Sequence, residues 1–260
     1  MRYLKFVPTA SAYPADFYAA LHRGNTGDLA FYTRECQGSD SVLELGCGAG
    51  RILLTLAAER RVGVECHPGL LDLANHTQSK MLENAHVARL ILGDMVETLE
   101  QLQDRFDRII IPYGGLYCVL SEDRIARLFA AVRTRLNPGG QLLLDVYAAD
   151  GFHTEASPED IDAETLVPLT QVYCRDQNYE VFESSHWDPT TQRIDVNYLY
   201  VPPHEDEGLL TRIEQRYLLS AQLREAIDTA RLKVLELSGD FERTPYNVSS
   251  DLMVLRAGLG

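Results

Sequence analysis

The sequence lacks the features that mark a secreted, disulfide-bonded or membrane-spanning protein. Its 260 residues contain only five cysteines, widely scattered (Cys36, Cys47, Cys66, Cys118, Cys174), with no C-x-x-C pair. An odd and dispersed set predicts neither a disulfide framework nor a structural zinc site, and reduced thiols in a cytoplasmic protein are expected. The longest uncharged apolar stretch, Ile109–Leu120, is broken by proline and glycine and is too short to span a bilayer. The first eight residues lack the apolar core of an export signal.

Positive charge is also in short supply. Lysine and arginine number 24 against 38 aspartates and glutamates, which gives a formal net charge of −14. Such a surface repels phosphate backbones and anionic lipids, so neither nucleic acid nor a membrane is an expected partner. Hydrophobic residues make up 45% of the chain, enough for a sizeable core. The balance favours a soluble globular protein with a neutral or cationic small-molecule partner.

Short apolar runs alternate with helical patterns between residues 42 and 146. Near-continuous apolar strands that alternate with helices predict a parallel sheet covered on both faces, a doubly wound α/β domain. The predicted strands are Val42–Leu45, Arg61–Glu65, Ala88–Leu92, Phe106–Ile111 and Gln141–Val146, and the predicted helices are Ala49–Arg60, Pro68–Gln78, Met95–Gln103 and Glu122–Leu136.

The remainder of the chain does not alternate strands with helices. After an acidic connection at Gly151–Glu164, extended segments separated by turns predict antiparallel hairpins: Thr170–Ser184, Arg193–Val201 and Leu209–Leu219. A helix and two final strands follow at Ser220–Ala230, Leu232–Leu237 and Leu252–Arg256, and two helices precede the α/β region at Pro14–Leu21 and Asp28–Glu35. We therefore expect a helical extension or lid at 1–41, a domain at 42–150 and 220–260, and a β insertion at 151–219 that covers the acceptor site.

The segment Glu44–Arg51 is a strand end that runs through a glycine-rich turn. Glycines at 46, 48 and 50 permit positive φ and let a ligand approach the backbone, and ligands of such sheets bind beyond the carboxyl ends of the strands. The spacing is G-x-G-x-G, with Arg51 where a dinucleotide site would need its third glycine, which disfavours NAD and FAD. A purely structural tight turn is the alternative.

Two carboxylates follow the next two strands. Glu65 closes the second strand, about 20 residues after the first glycine, where an acidic side chain accepts hydrogen bonds from ribose hydroxyls. Asp94 and Met95 follow the third strand, next to the same crevice, and could bind an adenine ring. A solvated carboxylate is the alternative for Glu65, and a helix N-cap is the alternative for Asp94.

Together these motifs resemble the class I S-adenosylmethionine-dependent methyltransferases. The resemblance covers residues 40–147 and includes Phe106–Ile111 and the turn Leu136–Gly140. It implies seven strands in the order 3-2-1-4-5-7-6, with strand 7 antiparallel, and S-adenosylmethionine as cofactor. By the resemblance the three glycines pass behind the methionine moiety, while Glu44 organises its ammonium group. Glu65 would hold the ribose, and Asp94 with Met95 the adenine. The cofactor-binding residues are then Glu44, Gly46, Cys47, Gly48, Gly50, Arg51, Glu65, Cys66, Asp94, Met95 and Ile111.

Departures from the family pattern concern the acceptor. Ile111-Pro112-Tyr113-Gly114-Gly115 stands where members that modify nucleobases or peptide amides carry N/D-P-P-Y/F, and no Lys-Asp-Lys-Glu set of the metal-dependent type is present. The insertion is similar to that of small-molecule N-methyltransferases, so we expect N- or O-methylation without a metal. The catalytic candidates are Tyr113, Tyr117 and His186, and the acceptor-binding candidates are Tyr13, Tyr18, Tyr147, Trp187, Arg212 and Arg216.

Each acceptor candidate has a plainer alternative. The tyrosines could pack in the core, the arginines could pair with carboxylates, and His186 could cap a turn. Three other functions also stay open: an aminopropyl transferase, an NAD(P) oxidoreductase on a similar sheet, and a non-catalytic cofactor-binding scaffold. An exposed edge of the insertion could pair two chains as a homodimer.

Overall fold

The chain divides into two units, each with its own sheet. The computed structural model describes residues 13–81, 87–156, 165–203, 205 and 207–260, together with the backbone of 5–7. Residues 24–151 and 218–260 form one unit, the sheet unit, and residues 1–23 and 152–217 form the other, the insertion unit. The predicted extension at 1–41 is thus divided, with its first helix in the insertion unit and its second in the sheet unit. Part of the predicted connection, residues 157–164, lies outside the described residues.

Within the described residues, the two units contain twelve strands and seven α-helices. The strands are β1 (Lys5–Val7), β2 (Ser41–Leu45), β3 (Arg60–Glu65), β4 (Arg89–Leu92), β5 (Phe106–Ile111), β6 (Leu136–Tyr147), β7 (Val167–Cys174), β8 (Gln177–Asp188), β9 (Arg193–Val201), β10 (Glu207–Arg216), β11 (Leu232–Ser238) and β12 (Leu252–Leu259). The α-helices are α1 (Ala15–Leu21), α2 (Asp28–Cys36), α3 (Pro68–Ser79), α4 (Met95–Gln101), α5 (Glu122–Arg135), α6 (Asp150–Glu155) and α7 (Ser220–Thr229), and two 3₁₀ helices span Leu53–Thr55 and Gly115–Cys118.

The sheet unit contains a seven-stranded sheet in the order β11-β12-β6-β5-β2-β3-β4. Strands β4, β3, β2, β5 and β6 run parallel to one another, and β12 runs antiparallel to both β6 and β11. In sheet-strand numbering this is the predicted order 3-2-1-4-5-7-6, so the doubly wound fold is confirmed. The carboxyl ends of the parallel strands therefore meet at one edge, which carries the glycine-rich turn.

Hydrophobic patterning explains these elements. All five residues of β2 are buried, as expected for a central parallel strand. Helix α5 buries Ile125, Leu128, Phe129 and Val132, one face at helical spacing, and begins where Ser121 Oγ accepts a hydrogen bond from the Arg124 N–H at 3.3 Å. Ser121 is therefore the N-cap of this helix.

The predicted helix Ala49–Arg60 is wrong. The chain there makes turns and one short 3₁₀ helix, Leu53–Thr55. Arg61 accounts for the difference, because its Nη1 donates to the carbonyls of Leu53, Leu54 and Leu56 at 3.5, 3.1 and 3.2 Å. Those carbonyls would otherwise need the hydrogen bonds of a continuing helix.

The insertion unit is built on a five-stranded sheet in the order β1-β10-β9-β8-β7. Strands β7 to β10 are antiparallel, and β1 joins β10 in parallel. The predicted single segment Thr170–Ser184 is in fact the hairpin β7–β8, whose two-residue turn, Arg175 and Asp176, has φ of +48° and +63°. Hairpin turns of this type normally carry asparagine and glycine, and Arg175–Asp176 has neither, so no turn was predicted here.

Helix α1 covers one face of this sheet. The Phe17 ring lies 4.9 Å from Tyr179 and 4.8 Å from Tyr200, centroid to centroid. Because side chains alternate along a strand, Tyr198 and Trp187 share the α1 face, as the register from β9 to β8 requires. Among the described residues, no helix is both long and apolar enough to cross a membrane.

Candidate functional site

The glycine-rich turn connects β2 to the neighbouring strand β3. The N–H groups of Gly46 and Cys47 both donate to the Val64 carbonyl, at 2.8 and 3.0 Å. Gly46, Gly48 and Gly50 have φ of +75°, +53° and +81°, a region that side-chain-bearing residues rarely adopt. A Cβ at Gly48 would meet no described atom within 4 Å. The turn therefore presents bare backbone at the carboxyl edge of the sheet.

Glu65 ties this turn to the end of β3. Its Oε2 accepts a hydrogen bond from the Gly48 N–H at 2.9 Å, and its Oε1 accepts one from the His67 N–H at 2.8 Å. The residue is 7% exposed, so it is a buried, oriented carboxylate and not a solvated one. The Gly93 N–H donates to the Glu65 carbonyl at 2.9 Å, which brings the end of β4 to the same place.

Asp94 and Met95 lie at the start of α4. Asp94 Oδ1 accepts from the Val96 N–H at 2.8 Å, so the residue is a helix N-cap, while its Oδ2 pairs with Arg124 at 2.7 Å. These contacts hold its pKa below the ordinary aspartate value, although partial burial opposes them. The Met95 Cε lies 3.6 Å from where a Cβ on Gly46 would stand. The structure thus brings together the three predicted motif ends of β2, β3 and β4.

Glu44 is the buried acid of the turn. It is 3% exposed, and burial raises its pKa to about 8, although the Leu53 N–H and the charge of Arg51 oppose that rise. Its Oε2 is buried with no hydrogen-bond partner among the described residues. A buried carboxylate oxygen without a partner is costly, and a cationic ligand group would satisfy it.

The Arg51 side chain is bound to the first residue of α2, Asp28. Its Nη1 and Nη2 donate to Asp28 Oδ1 and Oδ2 at 2.9 and 2.6 Å, a bidentate pair with an aspartate that is 2% exposed. The sequence analysis missed Asp28. No signal in the pattern of α2 distinguishes its first aspartate from an ordinary first-turn acid.

Asp145 is a second residue that the sequence analysis missed. This fully buried aspartate of β6 accepts hydrogen bonds from the Tyr32 hydroxyl at 2.6 Å, the Tyr113 N–H at 2.9 Å and Asn25 Nδ2 at 3.1 Å. Burial raises its pKa, and the bonds from Tyr32 and Tyr113 work in the other direction. An acid inside the apolar run Leu142–Val146 was the available signal, since a buried charge in a strand needs donors.

The three tyrosines predicted near the end of β5 and β6 have different environments. Tyr113 has φ of +52°, an uncommon conformation for a bulky residue, held by its N–H bond to Asp145. Tyr117 is fully buried, and its hydroxyl lies 3.0 Å from the Tyr147 carbonyl and 3.1 Å from the Leu218 carbonyl. Its burial favours the packing role that the sequence left open. Tyr147 packs edge-on against Tyr117 at 4.7 Å.

The other predicted cofactor contacts line or support the turn. Cys47 is buried, and burial raises the pKa of its thiol far above the ordinary value. Cys66 is exposed, yet partial burial and the neighbouring Glu65 raise its pKa to about 11. Both thiols are therefore protonated at neutral pH and are poor nucleophiles. Ile111 is fully buried at the end of β5.

The predicted acceptor residues of the insertion unit fall on opposite faces of its sheet. Tyr13, Tyr18 and Trp187 lie on the α1 face. His186, Arg212 and Arg216 lie on the other, because His186 pairs with Asp195 and the two arginines with Asn197 and Arg193 in the strand register. Arg212 also forms an ion pair with Asp195 at 2.5 Å, as the alternative in the sequence analysis had it. The structure therefore does not bring this set together.

Aromatic rings cluster around α1. The Tyr13 hydroxyl lies 3.1 Å from His22 Nε2 and 2.5 Å from the Tyr200 hydroxyl. The His22 ring stacks at 4.3 Å on Tyr18 and meets Tyr198 edge-on at 5.2 Å. Burial lowers the pKa of His22 to about 4, so this histidine is neutral at physiological pH.

Comparison with known proteins finds a family model that matches part of the chain. Residues 42–140 match a family model described as a methyltransferase domain. None of the curated proteins compared with the sequence matches it.

Solved structures match the whole chain. The CcbJ methyltransferase from Streptomyces caelestis is 23% identical, with a TM-score of 0.71, over 98% of this chain and 94% of that one. An S-adenosylmethionine-dependent methyltransferase from Clostridium acetobutylicum ATCC 824 is 15% identical, with a TM-score of 0.74, over 95% and 97%. CalS10, an amino pentose methyltransferase from Micromonospora echinaspora, is 18% identical, with a TM-score of 0.66, over 98% and 100%. At these identities the likeness is one of fold.

Proposed function

We propose that this S-adenosylmethionine-dependent methyltransferase transfers the methyl group of its cofactor to a nitrogen or oxygen atom of a small molecule, with an amine nitrogen preferred. The observation that carries the proposal is the junction of three strand ends at one edge of the sheet. There the Gly48 N–H donates to Glu65, and Met95 lies over Gly46. The methyltransferase domain covers this same junction.

The residues of the turn fit S-adenosylmethionine. The cofactor has two positive groups, a sulfonium and an ammonium, and one carboxylate. The turn region holds the buried acids Glu44, Asp28 and Asp145, and Arg51 is bound to one of them. The unpartnered Oε2 of Glu44 is an acceptor for the ammonium group, and Glu65 has further lone pairs for ribose hydroxyls. This cluster of buried acids favours a cationic ligand, because a bound ammonium group would stabilise the ionised form of Glu44, whose pKa burial raises to about 8.

The cofactor supplies an activated methyl group on a good leaving group, so displacement requires alignment more than acid–base chemistry. The protein's residues then have to hold the two reactants in a water-poor site. Asp145 fixes the backbone of Tyr113 in its unusual conformation, and Glu65 fixes the turn at Gly48. Backbone segments held in this way keep the residues that contact the reactants in fixed positions, which alignment of the reactants requires.

An amine acceptor is favoured by the α1 face of the insertion unit. Tyr13, Tyr18 and Tyr198 surround the neutral His22, and aromatic rings of this kind bind cationic amines. Glu183 lies opposite Tyr198 in the strand register, and partial burial raises its pKa. A half-buried carboxylate beside aromatic rings suits a protonated amine, and its raised pKa suits it to take the proton that the nitrogen must lose before its lone pair attacks the methyl group. Two proteins of similar fold also support an amine acceptor: CalS10 is described as an amino pentose methyltransferase and MtfA as a glycopeptide N-methyltransferase.

The cofactor half of the proposal is tested by calorimetric titration with S-adenosylhomocysteine, with NAD as a comparison ligand. We expect Glu65→Ala to weaken binding about 10- to 100-fold, since it loses charge-assisted hydrogen bonds of about 1.5–3 kcal/mol. Glu100→Gln is the matched control, because Glu100 is a surface acid of α4 that forms an ion pair with Arg127 of α5. Unchanged binding by Glu65→Ala, or tighter binding of NAD, would contradict the proposal.

The acceptor half is tested with S-adenosylmethionine labelled in its methyl group. Primary and secondary amines of small molecules are assayed beside their hydroxyl analogues, and decarboxylated S-adenosylmethionine tests for aminopropyl transfer. We expect label in an amine product. Label only in the hydroxyl analogues would refute the preference for nitrogen, and aminopropyl products would refute methyl transfer itself.

A further inference from the structure

The turn that follows β5 carries a tyrosine in a conformation that tyrosine rarely adopts. Tyr113 and Gly114 have φ of +52° and +71°, and the Gly115 N–H donates to the Pro112 carbonyl at 3.1 Å. Two central residues with positive φ, together with this closing hydrogen bond, define a type I′ turn. The central positions of such a turn favour asparagine, aspartate and glycine, because a bulky side chain is strained there. The chain therefore holds a tyrosine where a smaller residue would fit without strain.

Asp145 holds this turn from the neighbouring strand β6. Its Oδ1 accepts a hydrogen bond from the Tyr113 N–H at 2.9 Å, and its backbone carbonyl accepts one from the Gly114 N–H, also at 2.9 Å. The same Oδ1 accepts a hydrogen bond from the Tyr32 hydroxyl at 2.6 Å, so the carboxylate is itself fixed by α2. Tyr32 and Asp145 are both fully buried. A strained residue held by buried, hydrogen-bonded neighbours is typical of functional sites, where the position of a side chain outweighs the cost to the backbone.

The same turn lies where the strand order of the sheet reverses. Strand β2 pairs with β3 on one side and with β5 on the other, although β5 comes later in the chain than both. The ends of β2 and β5 therefore flank the switch point of the sheet, where ligands of such folds bind. The Tyr113 ring directs a face toward Arg51, the residue after the glycine-rich turn, with 6.0 Å between the ring centroid and Cζ. The ring thus lies beside the turn to which we assign the cofactor.

The Tyr113 ring is neutral, and its face attracts positive charge. Burial raises the pKa of Tyr113 above the ordinary tyrosine value, although the charge of Arg51 opposes that rise, so the hydroxyl keeps its proton at physiological pH. A phenol that keeps its proton is a poor general base. The face of a tyrosine ring binds cations, ligand cations included, within about 6 Å of its centroid. Tyr113 is therefore better suited to bind a cation than to remove a proton.

We infer that the Tyr113 ring binds the sulfonium group of S-adenosylmethionine and thereby favours this cofactor over S-adenosylhomocysteine, the product. The inference rests on the proposed function and adds to it a residue that distinguishes substrate from product. When the methyl group moves to the acceptor, the electron pair of the broken carbon–sulfur bond stays on sulfur, which becomes an uncharged thioether. The cation–π attraction is lost with that charge. The ring therefore holds the reactive form of the cofactor and no longer attracts the spent form.

The test compares the dissociation constants of the two ligands by calorimetry, on full-length protein without any acceptor. Tyr113→Leu keeps a bulky side chain on the same strained backbone but has no aromatic face. We expect it to weaken binding of S-adenosylmethionine about 3- to 10-fold more than binding of S-adenosylhomocysteine, the range of one cation–π contact. Tyr113→Phe keeps the face, so the ratio of its two constants should stay within about twofold of the wild-type ratio.

Two further variants keep the test decisive. Tyr173→Leu is the matched control, because it removes an exposed tyrosine of the insertion unit and should leave both constants unchanged. If Tyr113→Leu does not fold, Tyr113→Asn gives the same comparison, since asparagine adopts positive φ more readily and has no aromatic face. Equal weakening of the two ligands, or no weakening of either, would overturn the inference. A ratio that changes as much in Tyr113→Phe as in Tyr113→Leu would also overturn it.

The failure of this inference is distinguishable from failure of the proposed function. A folded wild-type protein that binds neither ligand refutes both, because the assigned cofactor site is then absent. A wild-type protein that binds both ligands, with a ratio that does not respond to Tyr113→Leu, keeps the proposed cofactor site and refutes the role of Tyr113 alone.

Discussion

Gly24→Ala tests the link between α2 and the glycine-rich turn. Gly24 has φ of +89°, and a Cβ there would stand 2.2 Å from Arg51 Cζ. The Arg51 side chain is flexible, but its guanidinium is bound through two hydrogen bonds to the buried Asp28. The alanine methyl group must therefore displace the guanidinium and leave the Asp28 carboxylate without its cation.

The matched control is Gly38→Ala. Gly38 has φ of +73°, and a Cβ there would meet nothing within 4 Å, so its substitution carries the backbone strain alone. That strain is about 1–2 kcal/mol. At Gly24 the broken pair adds about 2 kcal/mol, a value below that of a fully buried pair because the Arg51 side chain is 32% exposed and regains water.

The assay is thermal unfolding of both variants, each also in an Arg51→Ala background. At about 2–4 °C per kcal/mol, Gly24→Ala should melt about 4–8 °C below Gly38→Ala. Removal of the Arg51 side chain should abolish that difference, since the alanine methyl group then meets no guanidinium. Equal melting temperatures for the two glycine variants, or a difference that survives without Arg51, would refute the reasoning.

Two further predictions concern buried acids of the sheet unit. Burial raises the pKa of Glu44 from 4.5 to about 8, so the cofactor-free protein should lose stability as the pH rises from about 4.5 to 8. Glu44→Gln, which mimics the protonated form, should flatten urea-unfolding free energies over that range, and an equally steep profile in the variant would argue against Glu44. Tyr32→Phe removes the 2.6 Å hydrogen bond to Asp145 and should cost about 1.5–3 kcal/mol in urea unfolding, whereas Tyr173→Phe, at a residue that is 61% exposed, should cost under about 0.5 kcal/mol.

The parallel strands and the glycine-rich turn could be predicted because local sequence determines both, whereas the order of the strands was predicted from the resemblance to the methyltransferases. Near-continuous apolar runs such as Val42–Leu45 mark central parallel strands, and the glycines at 46, 48 and 50 mark a turn that a side chain would strain. Two local predictions failed because the residues concerned carry no recognised signal. Arg61 takes the carbonyls of the predicted helix after the turn, and Arg175–Asp176 makes a hairpin turn without glycine or asparagine.

The acceptor candidates could not be chosen from the sequence for a related reason. Alternation along a strand determines which face a side chain occupies, and a shift of one residue reverses it. His186 and Trp187 are neighbours in sequence, yet they lie on opposite faces of the insertion sheet.

The position of β12 in the sheet sets an order for biosynthesis. Strand β12 lies between β6 and β11 and bonds to both, although β6 is complete more than 100 residues earlier in the chain. A ribosome delivers β12 after every other strand of this sheet, so until then β6 and β11 each expose a row of unpaired backbone groups. Before β12 is made, β6 therefore has an unpaired edge and β11 lacks its neighbour in the sheet, so the sheet can be completed only after its last strand has been synthesised.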